Sequence, residues 1–444
     1  MTDLRRPVDF AWLGALRIAM GGMLCISMIR LLAYGWWKTF FLNSFQFKYW
    51  GFSWVRTLPP APLQALICVL AVLAVALAAG LFFRAAALLF LAGFVYLQLL
   101  DVTNYLNHYY LAALLVALLA VSPAGRAWSL DSWRKQDAVE TVPAFWLYLF
   151  RFQVGVVYTF AGLAKAHGDW LFHAEPLGIW LSANTDLPIL GPLLVHPWAA
   201  PLFSWCGFLF DTFIIWFLLW KRTRLFAYAA VVVFHVMTRL LFPIGMFPFI
   251  MIGSALVMFP PGWPRRLFRR PAVPLTTPRA VPAWGLAIAI LYCLVQVVLP
   301  LRHWLYPGDV RWGEQGMRFS WRVMVREKNG SVTFEVKQLK TGKVSLISPR
   351  QYLTRLQERE MSTQPDLILQ LAKHIEQEYQ RRGLGPVEVR ADAISSLNGR
   401  AAHPLIDPKV DLSKEKDTLL SWPWILPPPT EDPPHLRALL AHRS

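Results

Sequence analysis

The sequence predicts an α-helical polytopic membrane protein that carries a small α+β extramembrane domain at its C-terminal end. The chain has 444 residues, of which 56% are hydrophobic and only 16% are charged. A soluble protein usually has about 25% charged residues. The apolar residues form long blocks rather than amphipathic stripes, which indicates several membrane-spanning helices. After Pro300 this pattern ends and charged residues become frequent.

Hydropathy predicts about nine spans, which together define a transmembrane domain over residues 1–300. The first span follows Arg5 and Arg6 and has no obvious small-residue cleavage site, so we expect it to remain as a signal anchor. The predicted spans are 8–34, 61–83, 85–105, 107–122, 143–165, 200–220, 225–241, 243–259 and 282–300.

The basic residues predict the orientation of these spans. Groups of Lys and Arg precede the first span and follow the second, fourth, sixth and eighth. All five groups fall on one side, which the positive-inside rule assigns to the cytoplasm. The N-terminus is then inside and the C-terminus outside, and the loop 166–199, which has no Lys or Arg, faces outward. Because this topology explains much of the net charge of +17, the predicted partner is the lipid membrane and not a nucleic acid.

Residues 301–444 are predicted to form the extracytoplasmic α+β domain. Strands are expected within 319–348, with turn signals at Asn329-Gly330 and Thr341-Gly342. Residues 349–381 have helical periodicity. Residues 386–394 alternate like a strand, and the proline-rich tail 422–434 is expected to be extended.

The chain lacks the common motifs of soluble enzymes. It has no phosphate-binding loop, no dinucleotide-binding glycine pattern, no G-x-S-x-G and no H-E-x-x-H. Its four cysteines all lie in apolar runs and are not spaced like metal ligands or disulfide partners. No metal is therefore predicted.

Ionisable and amide side chains collect near the outer ends of different predicted helices. Asn107 and His108 begin the fourth span, Lys165 ends the fifth, and His235 and Arg239 lie in the outer half of the seventh. Polar residues at membrane depth are costly and often functional. Each also has a structural interpretation: Lys165 as a snorkelling anchor, the histidines as satisfied core residues, and Arg239 as a contact for lipid headgroups.

Arg151 lies apart from this group. It precedes Lys165 by fourteen residues, which is about 21 Å along a helix. We expect it in the inner half of the bundle, either as a structural ion partner or as part of a ligand tunnel, and the structural role is favoured.

Four stretches resemble the vitamin K-dependent gamma-carboxylase family, also called the HTTM-domain family in bacteria. They are Asn107-His108-Tyr109; Arg151-Phe-Gln153 followed by VYTFAGLAKAHGDW; FHVMTRLLFPIGMFPFIMIGSALVMFPPGWPRRL at 234–267; and LPLRHWLYPGDVRWGEQGMRFSW at 299–321 with SSLNGRAAHPLIDPKVDL at 395–412. The resemblance covers most of residues 100–412.

The resemblance implies an enzyme in which reduced vitamin K reacts with O2 to generate a base strong enough to remove the γ-proton of a peptidyl glutamate, which then takes up CO2. Lys165 matches the lysine that deprotonates the hydroquinone, and His108 matches a histidine that assists it. Asn107 and His235 match neighbouring family positions. Desolvation would favour a neutral amine on Lys165. By position, Asn107, His235, Arg239 and Arg151 are the candidate binding residues for the quinol.

The chain departs from vertebrate members of that family. It is much shorter in the outer domain, and Ala164-Lys165 stands where they carry two lysines. The four cysteines also do not place the disulfide of that family. Two alternatives remain open: a quinol epoxidase or oxidase that does not carboxylate glutamate, and a non-enzymatic membrane transport or binding protein. The short form favours a prokaryotic inner or plasma membrane with the active site on the extracytoplasmic side.

Overall fold

The fold was analysed in a computed structural model, which describes residues 2–135, 140–272, 274–276 and 281–434. An apolar helix lies at each of the nine positions that hydropathy predicts. These helices are α1 Ala11–Ala33, α2 Pro60–Ala79, α3 Phe83–Leu100, α4 Asn107–Val121, α5 Ala144–Leu163, α6 Ala199–Leu219, α7 Arg224–Leu241, α8 Phe247–Ala255 and α9 Ala283–Leu301.

The helices differ in whether they are long enough to cross a bilayer. In the described ranges, seven are long and apolar enough to span a membrane. The other two apolar helices, α4 and α8 with its 3-10 extension Leu256–Met258, are shorter. This confirms the predicted class of a multi-pass helical membrane protein with a small C-terminal domain. The count of nine crossings and their orientation remain predictions.

Helices that follow one another in the chain pack side by side. From α1 to α4 each helix contacts the next one in the chain, and the same holds from α5 to α8. Helix α8 also contacts α1 and α4. Small residues allow close approach: a Cβ added at Gly21 of α1 would lie 2.6 Å from the backbone nitrogen of Ala78 in α2. The last helix, α9, packs mainly against α5 and exposes most of its surface.

Short elements connect the apolar helices and lead into the C-terminal domain. We call this domain, residues 301–434, the outer domain after its predicted side of the membrane. Strands β1 (Pro7–Asp9) and β2 (Thr141–Pro143) pair antiparallel beside the first residues of α1 and α5. The short helices and 3-10 turns are Thr2–Arg5, Trp36–Phe41, Val102–Asn104, Ala124–Arg126, Leu130–Lys135, Gly168–Leu171, Leu177–Ser182, Gly191–Leu194, Trp263–Leu267, Arg302–Leu305, Val310–Gly313 and Pro349–Gln351.

The C-terminal domain is an antiparallel sheet covered by helices. Its strands are β3 Lys328–Gln338, β4 Val344–Ile347, β5 Val387–Leu397 and β6 His403–Pro404, in the order β4-β3-β5-β6. Helices α10 (Arg355–Met361) and α11 (Pro365–Arg381) occupy the predicted helical region, and α11 packs on β5. The core extends into the membrane domain, because Phe47 and Val102 are buried in the same cluster.

One predicted turn is wrong. Asn329 and Gly330 lie inside β3, opposite Ser396 and Ser395 of β5. Close packing requires glycine at position 330, because a Cβ there would lie 2.5 Å from the carbonyl oxygen of Ser362. The second turn signal is confirmed: Gly342 has a φ of 70° and closes the connection between β3 and β4.

Candidate active site

Lys165 lies just after α5, enclosed between the membrane helices and the outer domain. Its side chain is 6% exposed. The Nζ atom donates to Asp211 Oδ2 at 2.7 Å and to the carbonyl oxygen of Ala161 at 3.2 Å. The carbonyl oxygen of Val323 in the outer domain lies 3.5 Å away, and the ring of Trp170 has its centre 5.3 Å from Nζ. The amine is therefore enclosed by protein groups.

Asp211 is a site residue that the sequence analysis missed. It lies within the apolar stretch GFLFDTFIIW of α6, and its side chain is 9% exposed. An acidic residue inside a predicted span is itself a signal of function. The desolvated environment expected for Lys165 therefore also contains a carboxylate oxygen, 2.7 Å from Nζ.

Gly162 sets the distance between the two helices that carry this pair. A Cβ at Gly162 would lie 2.5 Å from Thr212 Oγ1 and 2.7 Å from the Thr212 backbone nitrogen. The crossing of α5 and α6 is therefore as close as backbone contact allows. It brings Asp211, the neighbour of Thr212, within reach of Lys165.

Replacing Gly162 with Ala should separate α5 from α6 and lengthen the Lys165–Asp211 contact. Overpacking of this kind costs about 1–3 kcal/mol, so we expect a lower thermal unfolding temperature and reduced turnover. Gly155→Ala on the same helix is the matched control, because its Cβ would meet only Ile215 Cγ2 at 3.8 Å. Equal effects of the two substitutions would contradict this account of the crossing.

A second polar pair lies two turns before Lys165 on the same face of α5. The hydroxyl of Tyr158 and Nε2 of His235 in α7 are 2.9 Å apart, and both residues are buried. The Nδ1 atom of His235 has no hydrogen-bond partner among the described residues. Either tautomer therefore leaves one ring nitrogen for a further partner.

His108 reaches the same region from α4 through an aromatic contact. The ring of Phe247 lies 6.0 Å from the ring of His108 and 5.5 Å from that of His235, measured between ring centres. His108 is buried and makes no hydrogen bond within the described part of the chain. The structure thus brings His108 and His235 to the same aromatic ring, Phe247, with Tyr158 linking His235 to α5.

Asn107 points toward the connection between α9 and the outer domain. Its Oδ1 accepts from the Tyr105 hydroxyl at 2.9 Å, and the Tyr105 oxygen in turn accepts from the backbone N–H of Phe319 at 2.9 Å. Phe319 belongs to residues 314–324, which we call the linker segment; this segment also supplies Val323 to Lys165. Four non-glycine residues of the linker segment have a left-handed backbone, which costs of order 1–3 kcal/mol each: Glu314, Phe319, Trp321 and Met324.

Asp169 fastens the segment after Lys165 to the outer domain. It accepts from Arg400 Nη1 and Nη2 at 2.7 Å each and from Asn398 Nδ2 at 2.8 Å, and Arg311 Nη1 lies 3.3 Å away. Burial alone would raise the pKa of Asp169, but the Arg400 hydrogen bonds and the Arg311 charge hold it below its usual range.

Burial and the Arg311 charge lower the pKa of His167 to about 3, so its ring is neutral at physiological pH.

Two predicted binding residues lie away from the Lys165–Asp211 pair. Arg151 donates to the carbonyl oxygens of Val257, Met258 and Phe259 at the end of α8, as expected for a structural role. Arg239 is exposed on α7, one turn beyond His235. Neither contacts the pair, and their role toward a quinol remains a prediction.

Several polar atoms at this site remain available to a ligand. In the described ranges there is no cluster of three or more His, Cys, Asp or Glu side chains that could hold a metal. A hydroquinone presents two O–H groups that need acceptors, and Asp211 offers a carboxylate. Thr212 Oγ1 and His235 Nδ1 are buried without partners among the described residues, and they offer further hydrogen bonds.

A polytopic helical membrane protein with a buried Lys–Asp pair beneath an α+β outer domain is the class that the fold and the site define. Comparison with family models refines it. The HTTM domain model matches residues 5–263, and the model of the vitamin K-dependent gamma-carboxylase lumenal domain matches residues 282–431. The chain therefore belongs to the vitamin K-dependent gamma-carboxylase family. No solved structure matched it.

Proposed function

We propose that this protein is a membrane enzyme that couples O2-dependent epoxidation of a reduced naphthoquinone to carboxylation of peptidyl glutamate. The observation that carries the proposal is the buried Lys165–Asp211 pair, which sits beneath the outer domain in a chain that carries both family domains. Vitamin K-type hydroquinone, O2, CO2 and a glutamate-containing peptide are the proposed substrates.

The Lys165–Asp211 pair can accept the first proton that is removed from the substrate. An ion pair of an ammonium and a carboxylate can accept one proton, which ends on Asp211 while Lys165 keeps its charge. When a substrate hydroxyl passes its proton through Lys165 to Asp211, the negative charge moves from the carboxylate to the substrate oxygen, and the retained positive charge of Lys165 stabilises that new anion. Reaction of the hydroquinone with O2 supplies the stronger base that glutamate requires and that no side chain can provide.

Exclusion of water is the second contribution of the chain. Trp170 covers one side of Lys165, and the linker segment covers another through Val323. A dry site strengthens electrostatic interactions and protects reactive species from hydrolysis. The contacts of Asp169 with Arg400 and Arg311 fix the position of the segment that carries Trp170.

His235, Tyr158 and His108 are proposed to orient the quinol. The free ring nitrogen of His235 can bond a quinol oxygen while Tyr158 holds the other nitrogen. Phe247, which contacts both histidines, offers an aromatic face for ring stacking. This set lies two turns from Lys165 along α5, deeper in the bundle.

Carboxylation is favoured over quinol oxidation alone because the outer domain touches the catalytic lysine. The Val323 carbonyl lies 3.5 Å from Lys165 Nζ, so a peptide held by that domain would be presented close to the pair. The test is to incubate purified protein with reduced vitamin K, O2, bicarbonate and a glutamate peptide. We expect both quinone epoxide and a peptide heavier by one CO2. Epoxide without peptide modification would support the oxidase alternative, and no quinol-dependent O2 consumption would favour a transport or binding protein.

Replacing His108 with Ala should reduce epoxide formation strongly but less completely than loss of Lys165. His108 lies against Phe247 and not against the Lys165–Asp211 pair, so it is placed to orient the quinol and not to accept the first proton. We expect a loss of about 10- to 100-fold, within the range of assisting groups. The exposed His196, substituted in the same way, is the control. Unchanged turnover of the His108 variant would remove it from the site.

A further inference from the structure

A line of polar side chains crosses the membrane domain on the other side of α5. Tyr292 and Gln296 lie one turn apart on α9 and face the bundle. The Tyr292 hydroxyl donates to Gln153 Oε1 on α5, and Gln296 Nε2 lies 3.5 Å from the hydroxyl of Tyr110 on α4. The ring of Tyr110 stacks on Trp321 of the linker segment, with centres 4.9 Å apart. We call these five residues the polar ladder.

Two N–H groups of the polar ladder have no partner. Gln153 Nε2 and Trp321 Nε1 are buried, and within the described residues neither makes a hydrogen bond. The two side chains come from residues that are 0% and 1% exposed. Burying a donor without a partner is unfavourable, and such groups in native structures call for an explanation. Both groups can only donate, so a ligand that satisfies them must accept.

The polar ladder lies behind a single helix, α9, whose other face is exposed and apolar. α9 forms its outer wall and packs mainly against α5, and it exposes apolar side chains such as Ile288, Leu291 and Leu294. Phe319 packs on Tyr110 of the polar ladder and also lines a neighbouring cavity of about 400 Å³, whose lining does not include the ladder residues themselves. That volume lies within the range of small-molecule sites.

We propose that the polar ladder binds the oxidised, carbonyl-bearing form of a lipid-soluble naphthoquinone. A quinone or a quinone epoxide has two carbonyl oxygens that accept hydrogen bonds and no hydroxyl to donate. The Gln153 and Trp321 N–H groups match that pattern. A hydroquinone must also place its O–H protons, and the acceptor for them, Asp211, lies at the Lys165 site.

The inference rests on the proposed function for its ligand class and adds a second site to it. Reduced quinol is bound where a carboxylate can receive a proton, and the oxidised product is bound where two buried N–H donors lack partners among the described residues. Because α5 carries Gln153 and ends just before Lys165, one helix connects the two sites. The product then leaves toward the lipid-facing wall formed by α9.

The test measures binding without turnover. Tritiated phylloquinone and its 2,3-epoxide are titrated against the full chain in detergent or nanodiscs, and phylloquinol is titrated under anaerobic, reducing conditions. Gln153→Leu and Trp321→Phe each remove a free donor while keeping much of the side-chain shape, and Gln153→Leu also removes the acceptor of the Tyr292 hydroxyl. We expect the Kd for both oxidised forms to rise about three- to tenfold in each variant, as for one neutral hydrogen bond, with the phylloquinol Kd changed less than about twofold.

Matched controls separate this loss from general loosening of the bundle. Gln98→Leu removes another glutamine from an apolar helix, and Trp12→Phe removes a buried indole N–H that also lacks a partner, on α1. Both should leave all three Kd values unchanged, and thermal unfolding checks each variant. Unchanged affinity for the oxidised forms in both test variants, or an equal loss for phylloquinol, would overturn the proposal. Because no turnover is needed, this result is independent of whether Lys165 performs the proposed chemistry.

Discussion

Lys165→Ala should abolish formation of quinone epoxide and, with it, peptide carboxylation. The amine is the group through which a substrate proton would reach Asp211, and no other Lys or Arg among the described residues contacts that carboxylate. Loss of a positioned acid–base group typically costs about 10²–10⁴-fold in rate. Epoxide is quantified by chromatography after a single addition of reduced vitamin K.

The substitution also has a structural consequence that the experiment must separate from catalysis. Lys165→Ala leaves Asp211 as a buried carboxylate without its cation, which typically destabilises by about 3–5 kcal/mol. The double variant Lys165→Met/Asp211→Asn removes both charges, and it should fold while remaining inactive. Lys221→Ala, at an exposed lysine in the loop between α6 and α7, should retain full activity. Epoxide formed at the normal rate by a folded Lys165 variant would refute the assignment.

Hydropathy alone predicted the positions of all nine apolar helices, because the cost of exposing backbone and polar groups to lipid makes long apolar runs helical. Prediction from local sequence failed where one short pattern is compatible with two structures. Asn329-Gly330 is a typical turn dipeptide, yet it lies within β3, where tight packing against Ser362 favours glycine as strongly as a turn would. The partner strand β5 begins almost sixty residues later, so a local window cannot detect the pairing.

Only part of the site could be predicted, because the local sequence shows polar residues within apolar runs but not the contacts between helices. Lys165, His108 and His235 are conspicuous as polar residues at the edges or centres of apolar runs. Their partners are set by helix crossings: Gly162 brings α6 to α5, and Tyr158 meets His235 across 77 positions of chain. Asp211 could have been noticed as an acid inside a span. Its contact with Lys165, however, follows only from the packing of α5 against α6.

Asp211→Asn should give the second largest loss, with a signature that distinguishes proton acceptance from positioning. The amide can still accept a hydrogen bond from Lys165 Nζ but cannot take up a proton, so the pair loses its capacity as a base. We expect kcat for epoxidation to fall by about 10²-fold or more, with KM for the quinol changed little. Asp211→Glu, which restores a carboxylate, should recover part of the rate.

The pH profile of Asp211→Asn provides the decisive comparison. With the carboxylate gone, the substrate proton must leave to a base from the solvent, so activity should increase as pH rises. A residue that only positions Lys165 would lower the rate equally at every pH. Asp186→Asn, at an exposed acid in the loop after α5, is the matched control and should have the profile of the unsubstituted protein. A flat loss across the pH range would show that Asp211 holds the lysine in place without receiving its proton.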